Sequence, residues 1–174
     1  MCHAQEAFAE LKAERAEIGV GLPTIVYSSR THSQIKQVMR ELKATKYKVK
    51  TSVLASRQQT CLHQHVQQLS GPAANHACRA LVTKRGCKWY NNTERFLNTN
   101  PDLLDNNLDI EDLVKVGEGR TVCPYYLSRS MTSDAELIFT PYNYLVDKKT
   151  RSGLGISWEN AVLIFDEAHN IEVC

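Results

Sequence analysis

An α/β fold built on a parallel sheet and interrupted by a mostly helical insertion is what this sequence predicts. Three observations carry the prediction. The first 55 residues alternate helix, strand, helix, strand in their hydrophobic period, the pattern of helices packed on a parallel sheet. The pattern lapses between about 57 and 130, where Gln, Asn, His and Cys replace long apolar runs. It then resumes, and the last apolar run, "AVLIF" at 161–165, leads straight into Asp166 and Glu167. In an open parallel sheet, ligands collect beyond the carboxyl ends of the strands.

Taken in order, residues 4–18 read as a helix, with Phe8, Leu11 and Ile18 near one face and Gly19 and Gly21 as a stop. Pro23 precedes "TIVYSS", a β-branched run that reads as a buried strand. In "RTHSQIKQVMRELK", Ile35, Val38, Met39 and Leu42 follow i, i+3, i+4, i+7 spacing, and Thr31 with Gln34 forms a capping box. "KVKTSVLAS" is a second strand. The insertion over 57–130 has short helical pieces and a turn-rich loop, "NTNPDLLDNN", and too little apolar sequence to stand alone. Beyond it, "ELIFT" reads as a strand, "PYNYLVDKKT" as a helix, "RSGLGISWEN" as a connection and "AVLIF" as a buried strand. The organisation is thus 1–56, an insertion at 57–130, and 131–174, with no internal repeat.

Composition excludes more than it selects. A net charge of +2 with 23% charged residues is ordinary for a soluble globular domain, so any basic surface must arise by local clustering. No apolar run approaches the roughly 20 residues of a membrane span, and the charged amphipathic start is not a secretory signal. The six cysteines therefore read as reduced thiols or metal ligands.

Four groups of residues carry candidate chemistry. Asp166 can hold Mg²⁺ against nucleotide phosphates, Glu167 can orient or deprotonate an attacking water, and His169 can couple that site to others. Acids after a strand also suit a plain helix N-terminus, and spacing alone leaves both readings standing. Cys61, Cys78, Cys87 and Cys123 are separated by 16, 8 and 35 residues with no CxxC pair. Four thiolates in a core-poor insertion can hold an iron–sulfur cluster or zinc, with His63, His65 and His76 as alternative zinc ligands. Cys2 and Cys174 lie outside the insertion. Arg30, Thr31, His32 and Ser33 sit at a strand-to-helix turn suited to a phosphate. Arg79, Lys84, Arg85 and Lys88 flank Trp89 and Tyr90, which either stack bases or pack within the insertion.

Longer strings go further. "DEAH" at 166–169 resembles motif II of superfamily 2 helicases, and "YSSRTHSQ" at 27–34 resembles motif Ia of the iron–sulfur helicases related to the xeroderma pigmentosum group D helicase. "VLASRQQTCLH", "DIEDLVKVGEGRTVCPYYLSR" and "IFTPYNYLVDKKTR" resemble further stretches of that family, in its order, so the likeness covers roughly 23–174. It implies a partial RecA-like motor domain with an inserted iron–sulfur module. The four cysteines would hold a [4Fe-4S] cluster, Asp166 the magnesium of ATP, Glu167 the hydrolytic water, and 30–33 the single-strand backbone. The implied partners are ATP, single-stranded DNA and duplex junctions, with no membrane, in nuclear genome maintenance.

The chain contains no GxxxxGK[ST] loop; "GEGR" at 117–120 lacks its Lys-Ser/Thr. In the resembled family that loop precedes motif Ia and a second motor domain follows motif II. The chain is therefore expected to be a fragment, inactive alone. The alternatives are a non-catalytic, metal-stabilised nucleic-acid-binding module and a structural zinc protein.

Overall fold

The computed structural model describes residues 22–173. The helix expected at 4–18 lies outside the described residues.

Four parallel strands form one sheet in the order β2-β3-β1-β4. β1 (Thr24–Ser29) leads into α1 (His32–Ala44), which crosses to β2 (Thr51–Val53). The insertion supplies α2 (Arg57–Thr60), α3 (Gln64–Gln67), α4 (Gly71–Thr83), α5 (Lys88–Asn91), α6 (Thr93–Thr99), a 3₁₀ turn (Pro101–Asn106), α7 (Ile110–Arg120) and α8 (Pro124–Ser130). The chain then re-enters the sheet as β3 (Leu137–Pro141), passes α9 (Tyr142–Val146) and α10 (Lys148–Ser152), and ends in β4 (Ala161–Phe165) and a 3₁₀ turn (Ala168–Val173). Registers Ile25↔Leu137 and Ser28↔Phe165 align the carboxyl ends of β1, β3 and β4 along one edge.

Alternation along the strands splits the core in two. Phe139 and Val53 pack with Ile35 and Met39 of α1, and Ile138 and Val26 pack with Leu145 and Leu154. The capping box is formed: Thr31 Oγ1 accepts from the Gln34 amide at 3.3 Å, and Gln34 Oε1 accepts from the Thr31 amide at 3.1 Å.

Several elements differ from the sequence expectation. "KVKTSVLAS" contributes a strand of three residues only. "PYNYLVDKKT" is two short helices, because Pro141 completes β3 and Asp147 caps a fresh start by accepting from the Thr150 amide at 2.6 Å. "AVLIF" was expected to be buried; instead Val162, Leu163 and Ile164 are each more than two-fifths exposed. Its only partner in the described sheet is β1, so β4 is an edge strand. The insertion does reach the core: Leu113, Val122 and Leu127 join the α1 cluster, and Val66, Ala74 and Cys78 form a smaller one. Short helices spaced by turns scatter these apolar residues, which hides them from a periodicity reading.

Candidate functional site

Asp166 follows β4 directly. Its amide donates to the Ser28 carbonyl at 2.9 Å, and its Oδ2 lies 3.4 Å from Ser29 Oγ on the neighbouring strand end. Tyr27, two residues before Ser29 and thus on the same face, is pushed above the usual phenol range by burial, then by its hydrogen bond to Asp166. It stays a neutral donor, holding one carboxylate oxygen. Glu167 takes a left-handed backbone, φ 55°. Non-glycine residues there are uncommon and concentrate at functional turns. Its Oε2 lies 3.4 Å from His169 Nδ1, both side chains being exposed. One face of the edge thus presents two carboxylates of different character: Asp166 half-buried against β1, Glu167 open to solvent.

Arg30 to Ser33 sit beside this edge at the start of α1. The capping box occupies Thr31, leaving the first-turn amides of His32 and Ser33 without helical partners. The helix dipole makes this end attractive to anions. His32 is held neutral, since burial lowers its pKa, and its Nδ1 has no hydrogen-bond partner. A cavity of about 570 Å³ opens here, lined by Arg30, Thr31, His32, Ser56, Gln58 and Tyr144.

The four cysteines gather in the insertion. Cys78, Cys87 and Cys123 are buried and Cys61 is half-buried. Burial pushes the Cys123 thiol up to about 12; the amides of Tyr126 and Tyr125 donate to its sulfur and oppose that shift. Cys61 is likewise raised by burial, with an opposing hydrogen bond from the His63 amide, and it senses the charges of Cys78 and Cys87. Cys87 and Cys123 are the N-cap residues of α5 and α8. Among the described residues, no three His, Cys, Asp or Glu side chains converge on one metal-ion position.

A further set of residues went unnoticed in the sequence. Arg57 and Arg129 both lie against the Tyr125 ring, at 3.9 and 4.6 Å from its centroid. Arg57 also donates to Asn75 Oδ1 at 2.8 Å and to Cys78. Each guanidinium keeps a buried Nε with no partner. With Arg79 and Lys149 they line a cavity of about 380 Å³. This cavity shares Ser56 and Tyr144 with the one beside Arg30, so the two are neighbours. Tyr125 and Arg129 are four apart on α8, a pairing visible in the sequence. Arg57 and Lys149 come from remote segments and leave no local signal.

The DEAD_2 family profile matches residues 27–174, which take in the acids, the α1 turn and all four cysteines. The chain belongs to the DEAD_2 family. Curated relatives of this DEAD_2 chain include the regulator of telomere elongation helicase 1 homologs of Oryza sativa subsp. japonica (50% identical over 151 residues) and Arabidopsis thaliana (48% over 157), and the Homo sapiens protein (49% over 152). These alignments cover 86–88% of this chain but only 12–15% of each relative. Two solved structures, "XPD_Helicase" and "Truncated XPD", align over 86% of the DEAD_2 chain with TM-scores of 0.56 and 0.60, covering 25% and 41% of their own lengths. At 20% identity they show a shared fold, a partial RecA-like domain. No helix among the described residues is long and apolar enough to cross a membrane.

Proposed function

We propose that this chain is part of the first motor domain of an ATP-dependent DNA helicase that carries a [4Fe-4S] cluster and acts on single-stranded DNA and duplex junctions. The observation that carries the reading is the juxtaposition at one sheet edge: Asp166 held by its amide on the Ser28 carbonyl, and Arg30 lining a cavity that neighbours the Arg57–Arg129 cavity. Asp166, placed by its amide on the Ser28 carbonyl and by the Tyr27 hydroxyl, would hold Mg²⁺ on a nucleotide. Glu167, solvent-facing on a left-handed turn, orients water, and His169 steadies Glu167. The α1 amides with Arg30, Thr31, His32 and Ser33 take backbone phosphates, His32 as a neutral contact. The buried, partnerless Nε atoms of Arg57 and Arg129 are donors that a phosphate would satisfy.

Cys61, Cys78, Cys87 and Cys123 hold the cluster. Amide hydrogens aimed at Cys61 and Cys123 suit thiolate ligands. Cys61 and Cys123 each feel the charge of other cysteines of the set, which supports their acting together as ligands. When bound, the cluster supplies a covalent staple for a module of short helices. The curated relatives are named for telomere elongation, and we assign the parent protein to nuclear DNA repair, recombination and telomere maintenance. The absence of a GxxxxGK[ST] string from these 174 residues favours a binding role without turnover for this piece alone.

The test is DNA-stimulated ATP hydrolysis by the parent protein. Glu167→Gln is expected to abolish turnover while leaving single-strand affinity within about twofold. Unchanged turnover would remove the assignment of this edge.

A further inference from the structure

A second cavity lies on the far side of the tyrosine pair of α8. It measures about 740 Å³ and is lined by Tyr90, Tyr126, Leu97, Arg85, Asn91 and Glu94. A row of rings connects it to the Arg57–Arg129 cavity: Tyr125 meets Tyr126 at 5.1 Å, and Tyr126 meets Tyr90 at 4.6 Å, both edge-to-face. In such a pair one ring meets the other by its edge, so that contact does not itself cover the ring's faces, and both Tyr90 and Tyr126 line the cavity. Trp89 is used differently. It packs against His63 at 5.9 Å, and its carbonyl accepts from the Cys123 amide. The two neighbouring aromatics thus divide, Trp89 toward the cysteines and Tyr90 toward the cavity.

Charge points the same way. Residues 57–95 hold six Lys and Arg and one acid, Glu94, whereas the whole chain nets +2. Arg85 is held at φ 52°, a left-handed conformation that favours glycine, although Gly86 stands next to it. Its amide donates to the Val82 carbonyl at 3.0 Å, and its own carbonyl accepts from Asn91 Nδ2 at 2.7 Å. The guanidinium has no carboxylate partner among the described residues. A strained backbone fixed on both sides therefore presents a cation at the cavity mouth.

We propose that this cavity is a second nucleotide subsite, which takes one unstacked base and its phosphate from single-stranded DNA leaving the Arg57–Arg129 cavity. The proposal rests on the single-strand reading above and extends it. Tyr90 stacks the base, Arg85 pairs with the phosphate, and Glu94 accepts from an exocyclic amine. Thymine has no such amine, so the subsite prefers cytosine or a purine over thymine.

The test is fluorescence anisotropy of labelled oligo(dC) and oligo(dT) with the full 174-residue chain prepared without oxygen, at several salt concentrations. Tyr90→Ala is expected to weaken oligo(dC) binding roughly 5- to 150-fold, the range for loss of one stacked base. Arg85→Gly relieves the left-handed backbone, so it keeps or raises the melting temperature while weakening binding and lowering the salt slope by about one. Glu94→Gln, at an exposed position, erases the preference for dC and leaves oligo(dT) binding equal or tighter. Wild-type affinity in Arg85→Gly and an unchanged dC preference in Glu94→Gln would overturn the subsite. If Arg129→Glu still lost binding, the single-strand reading would survive that result. A wild-type chain with no affinity for either oligonucleotide at low salt would overturn both.

Discussion

Gly117→Ala sets helix propensity against packing, and the structure decides the sign. Gly117 lies in the last third of α7 and is buried. A Cβ there would sit 2.5 Å from Pro124 Cγ, 2.8 Å from Leu62 Cδ1 and 2.8 Å from the Val122 carbonyl oxygen. Carbon atoms normally approach to about 3.5–4.0 Å. Leu62 can rotate away. The Pro124 ring opens α8, and the Val122 peptide is pinned by its hydrogen bond to the Gly117 carbonyl at 3.2 Å, so neither yields cheaply. Helix propensity favours alanine by about 1 kcal/mol, while overpacking costs about 1–3 kcal/mol. With two stiff neighbours the upper half of that range applies, for a net loss of about 1–2 kcal/mol. In a chain of this size that lowers Tm by roughly 2–8 °C. Gly119, two residues on, is the control: a Cβ there meets nothing within 4 Å, so Gly119→Ala raises Tm by up to about 4 °C. Thermal melts of the two variants beside wild type make the comparison. A Gly117→Ala melt at or above wild type would refute the close approach of α7 to α8.

Further expectations follow from the same geometry. Thr31→Ala removes the cap on α1 and costs about 1 kcal/mol; faster hydrogen exchange in the first turn of α1, with β1 and β3 unchanged, would localise the loss. His32 has its pKa lowered by burial from 6.5, so the native state binds fewer protons than the unfolded chain. Its contribution is whole above about pH 6.5 and is lost as pH falls through the native pKa; urea melts of His32→Gln should lose less stability on acidification than wild type. Lys43 pairs with Asp112 at 2.7 Å and with Asp109 at 3.7 Å, joining α1 to α7. Burial raises the Asp112 carboxyl, but the Lys43 hydrogen bond and the Asp109 amide outweigh it, so its pKa lies below the carboxylate range. Discounted for partial exposure, Lys43→Ala costs at most about 1 kcal/mol near neutrality, and that difference from wild type should vanish as pH falls below the native Asp112 pKa.

The sequence signals that survived folding were those written over short distances. Ile35 and Met39 mark the buried stripe of α1, Thr31 and Gln34 its cap, and "AVLIF" before two acids marks a strand end at the sheet edge. What the sequence hid is long-range. Among the described residues β4 pairs only with β1 and Val162 to Ile164 are exposed, a strand order that no local pattern encodes. The Arg57–Arg129–Lys149 cavity joins the one-turn helix that opens the insertion, the helix that closes it and a helix between β3 and β4. "GEGR" lacks the Lys-Ser/Thr of a phosphate loop, and the structure gives Gly117 another use: α8 and the Cys61 segment approach α7 there. The insertion looked core-poor because its apolar residues are singly spaced, although Leu113 and Leu127 are almost fully buried.

The most direct test of the account is the metal and acid-labile sulfide content of the 174-residue chain purified without oxygen, for wild type and Cys87→Ser. The account predicts iron and sulfide in matching amounts in wild type, lost in the variant. Zinc without sulfide, or iron and sulfide that persist in Cys87→Ser, would contradict it.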